Sequence, residues 1–569
     1  MNLSAICLLG AFFTAAVPKT TVFYPSAVTR GAFPVVLTAE GDAGTEPKIW
    51  VDDAELLVTP GAKPGQFQAQ ARAKCRPGWH VVRLFNKEGS TGPIALWVDD
   101  LPNFSEIEPN NAATEANTVL LHPKGSAARV IGRLEKNGDV DGFRVQVPAG
   151  ATLVARMEAN RMLGSPMDAS LQVTDLKGFV LAHNDDARGV DPEITWTAKE
   201  SADVVVRAFA FPSDPNSTIS FAGGSAYIYQ LTIATGPVLD HLAGVVTSSS
   251  PAKALLQGWN LPESLPYEIK PVQPGSNLAI ATAPGAEPVF LPITTFKYLE
   301  NTNAKITHEL APPVVAGGAI SQKNEAVQYS LNAKKGDVFQ LRVFAKAWES
   351  ILDPVLIIRD EKGQVLVEQD DSGNNNRDID LSWTAPADGR FQIEIKDLHR
   401  RGGLRLYYGL EVSKDGLPPE LNVDKTSLSL KAGEKQDLVL NYDKRADLDA
   451  PVKIQWLGLP KGFPELKPSE PAQAASTDAS KKGSGRRRRG NPAAGQNAIT
   501  VPITLSADQV KSIGAWSGPV RMVATDAEGK IIPVRLGGDK GSRQGLDHIW
   551  VTVLPPEEPK KEKPAEAKK

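Results

Sequence analysis

The sequence predicts an all-β protein, built as a tandem array of antiparallel β-sandwich domains of the jelly-roll or immunoglobulin-like kind. The 569 residues include 48 Gly and 44 Pro, which suits many short strands joined by turns better than it suits helices. Apolar and polar residues alternate with a period of two, for example in the stretches FRVQV and FQIEI. A long segment of the chain also occurs twice. The length allows roughly four domains of ordinary size.

Residues 1–16 have the features of a secretory signal peptide. An uninterrupted apolar run extends from Leu3 to Val17, and small residues suited to cleavage end at Ala16. The run is too short to span a bilayer. We therefore expect a secreted, periplasmic or envelope protein without a transmembrane segment after signal removal. Cys75 would then be the lone cysteine, a small buried apolar side chain.

Residues 17–103 are predicted to form a small sandwich. The stretches KIWVDD, GWHVVRLFN and ALWVDD are apolar enough for strands and are separated by turns rich in Gly and Pro. Residues 236–312 have a similar pattern, with ALLQGWNLP near their start. We expect a second small sandwich there.

The duplicated segment is clearest at residues 164–198 and 349–385. The aspartates and glycine of the first segment recur at a constant offset in the second, and the WTA triplet follows both. The D-x-x-G steps at Asp175 and Asp360 predict tight turns. We expect one sandwich in two copies, copy 1 at 105–235 and copy 2 at 313–414.

Residues 418–554 are predicted to form a last sandwich, because SLSLKAGEKQDLVLNYD, PVKIQWLGLP and HIWVTVLP again read as strands. Residues 467–498 interrupt it without one large apolar side chain, so we expect a disordered insertion between strands. Four consecutive arginines, Arg486 to Arg489, lie inside that insertion. The tail at 555–569 is also predicted to be disordered.

Two short stretches at the start of copy 1 are crowded with side-chain oxygens. They read EIEPNN at 106–111 and GDVDGF at 138–143. Calcium prefers six to eight hard oxygen ligands from carboxylates and amide carbonyls in loops. Alternate residues of an extended segment point the same way, so Glu106, Glu108 and Asn110 can face one ion. The alternative is a solvated acidic linker in which Asn111 caps a short helical turn at AATEAN.

The order of motifs in copy 1 resembles the bacterial pre-peptidase C-terminal (PPC) domain. The motifs are EIEPNN, VIGRL, GDVDGF, GSPMD, a D-x-x-G turn, NDD and a closing Y-x-L. Copy 2 is similar in its core but lacks the acidic opening motif, and the flanking units resemble immunoglobulin-like modules. The resemblance implies β-sandwich modules carried by secreted peptidases and other exported proteins. It also implies a structural Ca²⁺ site, whose matching positions here are Glu106, Glu108, Asn110, Asn111, Asp139 and Asp141.

The sequence contains no recognised catalytic or cofactor-binding motif. The seven histidines form no HExxH pair, and no G-x-S-x-G elbow or phosphate-binding loop occurs. A net charge of −3 gives no reason to expect nucleic acid as a partner. We therefore expect a non-catalytic binding or scaffolding protein of the cell envelope or extracellular space, with a glycan or protein ligand. The alternatives are an accessory or targeting subunit of a secreted peptidase or other hydrolase, and an enzyme with an unrecognised site.

Overall fold

The chain is described here from a computed structural model. It describes residues 16–123, 126–212, 220–242, 246–247, 256–262, 267–271, 278–283, 286, 288–294, 296–300, 305–372, 377–414, 416–446, 448, 452–468, 496–538 and 545–555. Almost all of the predicted signal peptide, most of the insertion at 467–498, Arg486 to Arg489 and nearly all of the tail lie outside the described residues. The described part is an all-β array of sandwiches, as the sequence predicts. None of its helices is long and apolar enough to cross a membrane.

The N-terminal sandwich packs a β1-β3-β6-β5 sheet against a β2-β9-β7-β4 sheet, with β8 beside β7. Its core includes Phe23, Phe67, Leu84 and the fully buried Cys75. The strands are β1 (Val22–Tyr24), β2 (Ala27–Thr29), β3 (Val35–Glu40), β4 (Lys48–Val51), β5 (Leu56–Pro60), β6 (Gln66–Ala71), β7 (Gly78–Asn86), β8 (Gly89–Ser90) and β9 (Ile94–Asp99).

The copy 1 sandwich contains two five-stranded sheets, ordered β10-β12-β19-β14-β17 and β11-β13-β18-β15-β16. A short helix, α1 (Asn160–Leu163), follows β14. The strands are β10 (Asn103–Ser105), β11 (Asn117–Thr118), β12 (Ala127–Arg133), β13 (Asp141–Val147), β14 (Thr152–Glu158), β15 (Met167–Thr174), β16 (Val180–Asn184), β17 (Glu193–Thr197), β18 (Ala202–Pro212) and β19 (Ile228–Ala234).

The middle unit combines a β20-β22 pair with a sheet ordered β21-β25-β24-β23. Its small core centres on Leu239, Ala281 and Leu291. The strands are β20 (Val238–Leu242), β21 (Val246–Thr247), β22 (Leu256–Trp259), β23 (Glu268–Pro271), β24 (Leu278–Thr282) and β25 (Val289–Thr294).

The copy 2 sandwich repeats the strand order of copy 1, with sheets β26-β28-β35-β30-β33 and β27-β29-β34-β31-β32. A 3-10 turn at Lys346–Trp348 occupies the place of α1. The strands are β26 (Lys297–Glu300), β27 (His308–Leu310), β28 (Val314–Ala319), β29 (Ala326–Ala333), β30 (Val338–Phe344), β31 (Pro354–Arg359), β32 (Val365–Gln369), β33 (Ile379–Thr384), β34 (Gly389–Asp397) and β35 (Tyr407–Lys414).

The C-terminal sandwich packs a β40-β38-β36-β43 sheet against a β37-β44-β41-β39 sheet, with β42 beside β41. Its helix, α2 (Ala507–Ile513), begins with a capping box formed by Ser506 and Gln509. The strands are β36 (Leu421–Val423), β37 (Ser427–Leu430), β38 (Lys435–Asp443), β39 (Lys453–Leu457), β40 (Gln496–Thr504), β41 (Trp516–Thr525), β42 (Ile531–Ile532), β43 (Val534–Leu536) and β44 (Ile549–Val553).

The sheet pairing moves one expected boundary. Strands β26 and β27 lie before residue 313, yet they pair with β28 and β29 of copy 2. Residues 297–310 therefore add strands to the copy 2 sheets rather than to the middle unit. Sequence alternation did not reveal this, because a three- or four-residue edge strand has too short a pattern to show which sheet it joins.

The opening strands of the two copies pair in parallel, although the remaining pairs in those sheets are antiparallel. In copy 1, β10 lies along β12 and β11 lies along β13. Because β10 and β12 run the same way, the connections that leave them start from the same end of one sheet and cross to the other sheet. Those connections are residues 106–116, which contain the first acidic stretch, and 134–140, which contain the start of the second, whose remainder opens β13. Parallel pairing thus places the two stretches side by side.

Candidate metal centre

The first connection holds its acidic side chains in an extended segment. Asn117 holds the backbone of this segment at Ile107. The Asn117 Oδ1 accepts from the Ile107 amide at 2.7 Å, and the Asn117 Nδ2 donates to the Ile107 carbonyl at 2.8 Å. Ile107 itself is 66% exposed. Its neighbours Glu106 and Glu108 therefore turn toward the sandwich, as expected for alternate residues of an extended chain.

The second connection brings two buried aspartates to the same place. Asp139 accepts a hydrogen bond from the Glu135 amide at 2.6 Å, and Asp141 is the fully buried first residue of β13. The two connections touch where the Gly142 amide donates to the Asn110 carbonyl at 3.1 Å. A Cβ at position 142 would lie 2.8 Å from that oxygen, so this approach requires glycine.

Three carboxylates converge in this space. One oxygen from each of Glu106, Glu108 and Asp141 lies within 4.8 Å of the others. The Tyr229 hydroxyl, on β19, is 2.5 Å from Asp141 Oδ2 and 3.3 Å from Glu106 Oε2. Glu106 Oε1 also accepts from the Arg133 amide at 2.5 Å. The group therefore lies between strands of both sheets.

Several buried polar atoms of this cluster have no hydrogen-bond partner. They are Glu108 Oε1, Asp141 Oδ1 and both amide atoms of the fully buried Asn110. Most buried polar groups in proteins are hydrogen-bonded, and leaving one unsatisfied typically costs about 1–3 kcal/mol. Carboxylate and amide oxygens are the ligands that calcium prefers. The residues therefore fit a hard divalent cation, which would use the oxygens that the protein leaves unsatisfied.

The electrostatics of the cluster favour added positive charge. Burial raises the pKa of Asp141 well above its usual range, and the nearby Glu106 carboxylate raises it further. Burial also raises the pKa of Glu106, while its hydrogen bond to Asp141 works in the opposite direction. Burial and Asp139 raise the pKa of Glu108. Without a cation, burial and the neighbouring carboxylates therefore oppose ionisation of Glu106 and Asp141.

Of the six residues expected in the site, Glu106, Glu108 and Asp141 bring their carboxylates together in this space. Asn110 is fully buried and its carbonyl forms the contact between the two connections, and Asp139 lies close enough for its charge to act on Glu108 and Asp141. Asn111 is exposed. The stretch after it forms a turn, in which the Glu115 amide donates to the Ala112 carbonyl, and not a helix.

Sequence reasoning did not assign Tyr229 to the site. Its signal was present in the closing Y-x-L motif, where Tyr229 is the tyrosine. Its role depends on Gly132, because a Cβ there would lie 2.1 Å from the Tyr229 ring. The strand pairing places these two residues opposite each other. That register could not be read from the local pattern.

Copy 2 lacks an acid at the position that matches Asp141, although Glu325 matches Asp139. Val327 stands where copy 1 has Asp141, and Tyr329 stands where copy 1 has Phe143. The hydroxyls of Tyr329 and Tyr408 are 2.9 Å apart and both side chains are fully buried. Gly318 makes room for Tyr408 as Gly132 does for Tyr229. The fold itself therefore does not require buried carboxylates at this position.

No family model matches the chain. Over 97 residues it is 34% identical to a probable subtilase-type serine protease of Deinococcus radiodurans, a match that covers 17% of this chain and 13% of that protein. The match thus spans a small fraction of the relative's length.

Three solved structures are also similar to parts of the chain. The PPC domain of a Bacillus anthracis collagenase aligns with 11% identity over 20% of this chain and 100% of that domain, at a TM-score of 0.16. The periplasmic lysozyme inhibitor PliG of Aeromonas hydrophila aligns with 14% identity over 21% of this chain and 96% of PliG, at a TM-score of 0.15. The SGBP-B protein of a Bacteroides ovatus mixed-linkage glucan utilization locus aligns with 9% identity over 38% of this chain and 76% of SGBP-B, at a TM-score of 0.13.

Proposed function

We propose that this chain is an exported, non-catalytic binding or scaffolding protein of the cell envelope or extracellular space. Its copy 1 sandwich would hold a structural calcium ion, and its ligand would be a glycan or a protein. Two independent features support the proposal. One is the cluster of unsatisfied oxygens in copy 1, and the other is an exposed apolar hairpin of the same sandwich.

The unsatisfied oxygens carry the calcium proposal. Glu106, Glu108, Asn110 and Asp141 are supplied by two connections that are otherwise joined by the Asn110–Gly142 hydrogen bond. A cation bound by both connections would fix one to the other and would remove the repulsion among the carboxylates. The role is structural, because the ligands are buried and clamp the opening segment to the sheet edge.

Calcium titration of the full chain tests this site. Calcium that binds only the folded form stabilises it by about 2.7 kcal/mol at a hundredfold excess over Kd. We expect the melting temperature to rise with calcium and to fall with chelator. Combining Asp139→Ala with Asp141→Ala should abolish the rise. As a matched control, Asp370→Ala with Asp371→Ala removes two exposed acids of copy 2 and should leave the calcium-dependent rise in melting temperature unchanged. A melting temperature indifferent to calcium and chelator in the unmodified protein would contradict the site.

The apolar hairpin carries the binding proposal. Leu176, Phe179, Val180 and Leu181 lie at the β15–β16 turn and along the edge strand β16, and they are 44%, 69%, 52% and 42% exposed. Exposed apolar clusters of this kind mark interaction sites. Asp175 Oδ1 accepts from the amides of the turn, and Asp360 builds the same turn in copy 2. There Glu361 and Gln364 replace Leu176 and Phe179, so the turn does not need apolar residues.

An array of glycans and extracellular proteins, probed with the purified chain in calcium and in chelator, would identify the ligand class. We expect Phe179→Ser to weaken capture about thirtyfold, because an aromatic anchor in an interface is often worth on the order of 2 kcal/mol. Gln364→Ser changes the matching position of copy 2 and should leave capture unchanged. Equal loss in both variants, or no loss in Phe179→Ser, would remove this hairpin from the proposal.

A second candidate function is an accessory or targeting subunit of a secreted peptidase. The similarity over 97 residues to part of a subtilase-type protease favours it. Affinity capture from envelope and culture-medium extracts distinguishes the two functions. Recovery of a peptidase would favour the accessory role, and recovery of a polysaccharide or another envelope protein would favour the binding role.

A further inference from the structure

A second cluster of metal-ligating side chains lies in the N-terminal sandwich. Cys75 Sγ is 3.8 Å from His80 Nε2 and 3.8 Å from Asp53 Oδ2, and all three atoms lie within 4.8 Å of one another. Cys75 precedes β7, His80 lies on it, and Asp53 follows β4. Cys75 and His80 are both fully buried.

A carboxylate behind His80 orients its ring. His80 Nδ1 is 2.7 Å from Asp52 Oδ1, and Arg76 pairs with the other oxygen of Asp52 at 3.1 Å. Burial alone would raise the pKa of Asp52, but His80 and Arg76 hold it below its usual range. Metal-binding histidines commonly donate their second N–H to a carboxylate in this way, which leaves the other nitrogen for the ion.

The cysteine is not poised as a nucleophile. Burial and the adjacent Asp53 carboxylate raise the pKa of Cys75 to about 12, so the thiol stays protonated at neutral pH. In this form His80 Nε2 is 2.6 Å from the Arg76 carbonyl oxygen, and Asp53 Oδ2 accepts from the Arg76 amide at 3.0 Å. A metal ion would displace the thiol proton and the bond from Nε2 to that carbonyl.

We propose that Cys75, His80 and Asp53 bind a zinc-class divalent cation, at a site separate from the calcium centre of copy 1. Cys75 Sγ lies 3.8 Å from each of the other two ligand atoms, and all three atoms lie within 4.8 Å of one another, a spacing that one zinc ion with bonds of about 2.0–2.3 Å can bridge. One thiolate and one carboxylate would balance the ion's two charges, and the Asp52–Arg76 pair adds none. Thiolate and imidazole ligands favour zinc-class ions over calcium.

The site would act as a structural crosslink. It joins the segment before β7 to the turn after β4, within a sandwich whose single described cysteine is free. An exported sandwich without a disulfide gains rigidity from such a bond network.

Cobalt substitution of the full chain tests the proposal. Cobalt(II) bound by a thiolate absorbs in the near ultraviolet and, in a tetrahedral site, intensely in the visible. We expect one equivalent of cobalt to produce both bands and one equivalent of zinc to remove them. Cys75→Ser should abolish the near-ultraviolet band, His80→Gln should weaken binding at least tenfold, and Asp370→Asn, at an exposed acid of copy 2, should change neither. Failure of the unmodified protein to develop a thiolate band at pH 8 would overturn the site, as would a band that persists in Cys75→Ser. If a variant fails to fold, the presence or absence of the thiolate band in the unmodified protein still tests the site.

Discussion

Asp141 and Val327 occupy matching positions in two sandwiches of the same strand order, and each has a matching tyrosine nearby. In copy 1, Tyr229 donates to Asp141. In copy 2, Tyr408 bonds Tyr329 instead, and Val327 joins the core. The Asp141 to Val327 difference is therefore one of the side-chain changes, together with loss of the acidic opening motif, that separate the copy 1 cluster from its counterpart in copy 2. The difference lies in side chains, since the backbone topology is shared.

The pH dependence of stability should follow from the raised carboxyl pKa values. Asp141 and Glu106 have higher pKa values in the folded chain than in the unfolded chain. Their contribution to the free energy of unfolding is therefore largest at a pH below the ordinary carboxyl pKa. In chelator, this contribution is lost as the pH rises from about 4 through the folded-state values. We expect melting temperatures in chelator to fall more between pH 5 and pH 8 for the unmodified chain than for Asp141→Asn.

Calcium should reverse that trend, because a bound cation favours the ionised carboxylates. Differential scanning fluorimetry at several pH values, with calcium and with chelator, provides the measurement. Identical pH profiles for the unmodified chain and Asp141→Asn would contradict the assigned role of Asp141.

Removal of one hydroxyl should distinguish the two tyrosines. Tyr229→Phe leaves the buried Asp141 without its donor, which should destabilise the chelator-treated protein by about 1–3 kcal/mol. Tyr408→Phe removes a neutral hydroxyl pair and should cost about 0.5–1.5 kcal/mol. Only the first variant should also change the calcium response. Urea unfolding with and without calcium measures both effects, and equal calcium responses would contradict the link between Tyr229 and the cation.

At the scale of elements, the site depends on two connections that leave the same end of one sheet. The parallel pairing of β10 with β12 starts both connections there, and the Gly142–Asn110 hydrogen bond holds them together. The same topology in copy 2 carries different side chains. The side chains of the connections can therefore differ between the copies while the two sheets keep the same strand order, as loops on rigid scaffolds commonly do.

Substitution at that contact should weaken calcium binding without altering any ligand. Gly142→Ala places a Cβ 2.8 Å from the Asn110 carbonyl and must separate the two connections. Gly92→Ala is the matched control, because a Cβ there meets no atom within 4 Å. We expect calorimetry to show at least a tenfold loss of calcium affinity in Gly142→Ala and none in Gly92→Ala. Unchanged affinity in both would show that the contact does not position the ligands.

At the scale of the whole molecule, buried ion pairs join three of the sandwiches. Asp240 of the middle unit pairs with Arg156 and Arg188 of copy 1 and with Arg405 of copy 2. Glu349 of copy 2 pairs with Arg161 and Arg188 of copy 1. Such pairs are directional and bury their charges, so they favour one relative orientation of the units.

The ends of the array also meet. Trp550 of the C-terminal sandwich packs against Trp50 and Phe85 of the N-terminal sandwich, with ring centroids 5.8 Å and 4.8 Å apart. Arg83 donates across the same contact to the Thr426 carbonyl at 3.0 Å. The described units therefore form a closed arrangement rather than an open string.

Loss of Asp240 should loosen the junction. Burial opposes ionisation of Asp240, but Arg405 and its neighbours hold its pKa well below the usual range, so it is charged at neutral pH. Asp240→Ala leaves buried guanidinium groups without this partner, which typically costs about 3–5 kcal/mol. Asp100→Ala breaks the exposed pair with Arg30 and should cost less than about 1 kcal/mol. Urea unfolding measures the loss of stability, and small-angle scattering measures the change in the arrangement of the units. Equal effects in both variants would contradict a role of Asp240 in holding the three sandwiches together.

The sequence by itself determined the fold class and the chemical character of the candidate site. Strand alternation and turn residues are local, so they predicted sandwiches from short windows of sequence. The acids of EIEPNN and GDVDGF were visible as oxygen ligands for the same reason. Only the tertiary structure decided which side chains meet. Tyr229 at Asp141, Asp53 beside Cys75 and His80, the strands at 297–310 in copy 2, and the Asp240 junction all depend on strand order and register between distant segments. Local periodicity carries no information about that order, because one alternating strand fits many possible neighbours equally well.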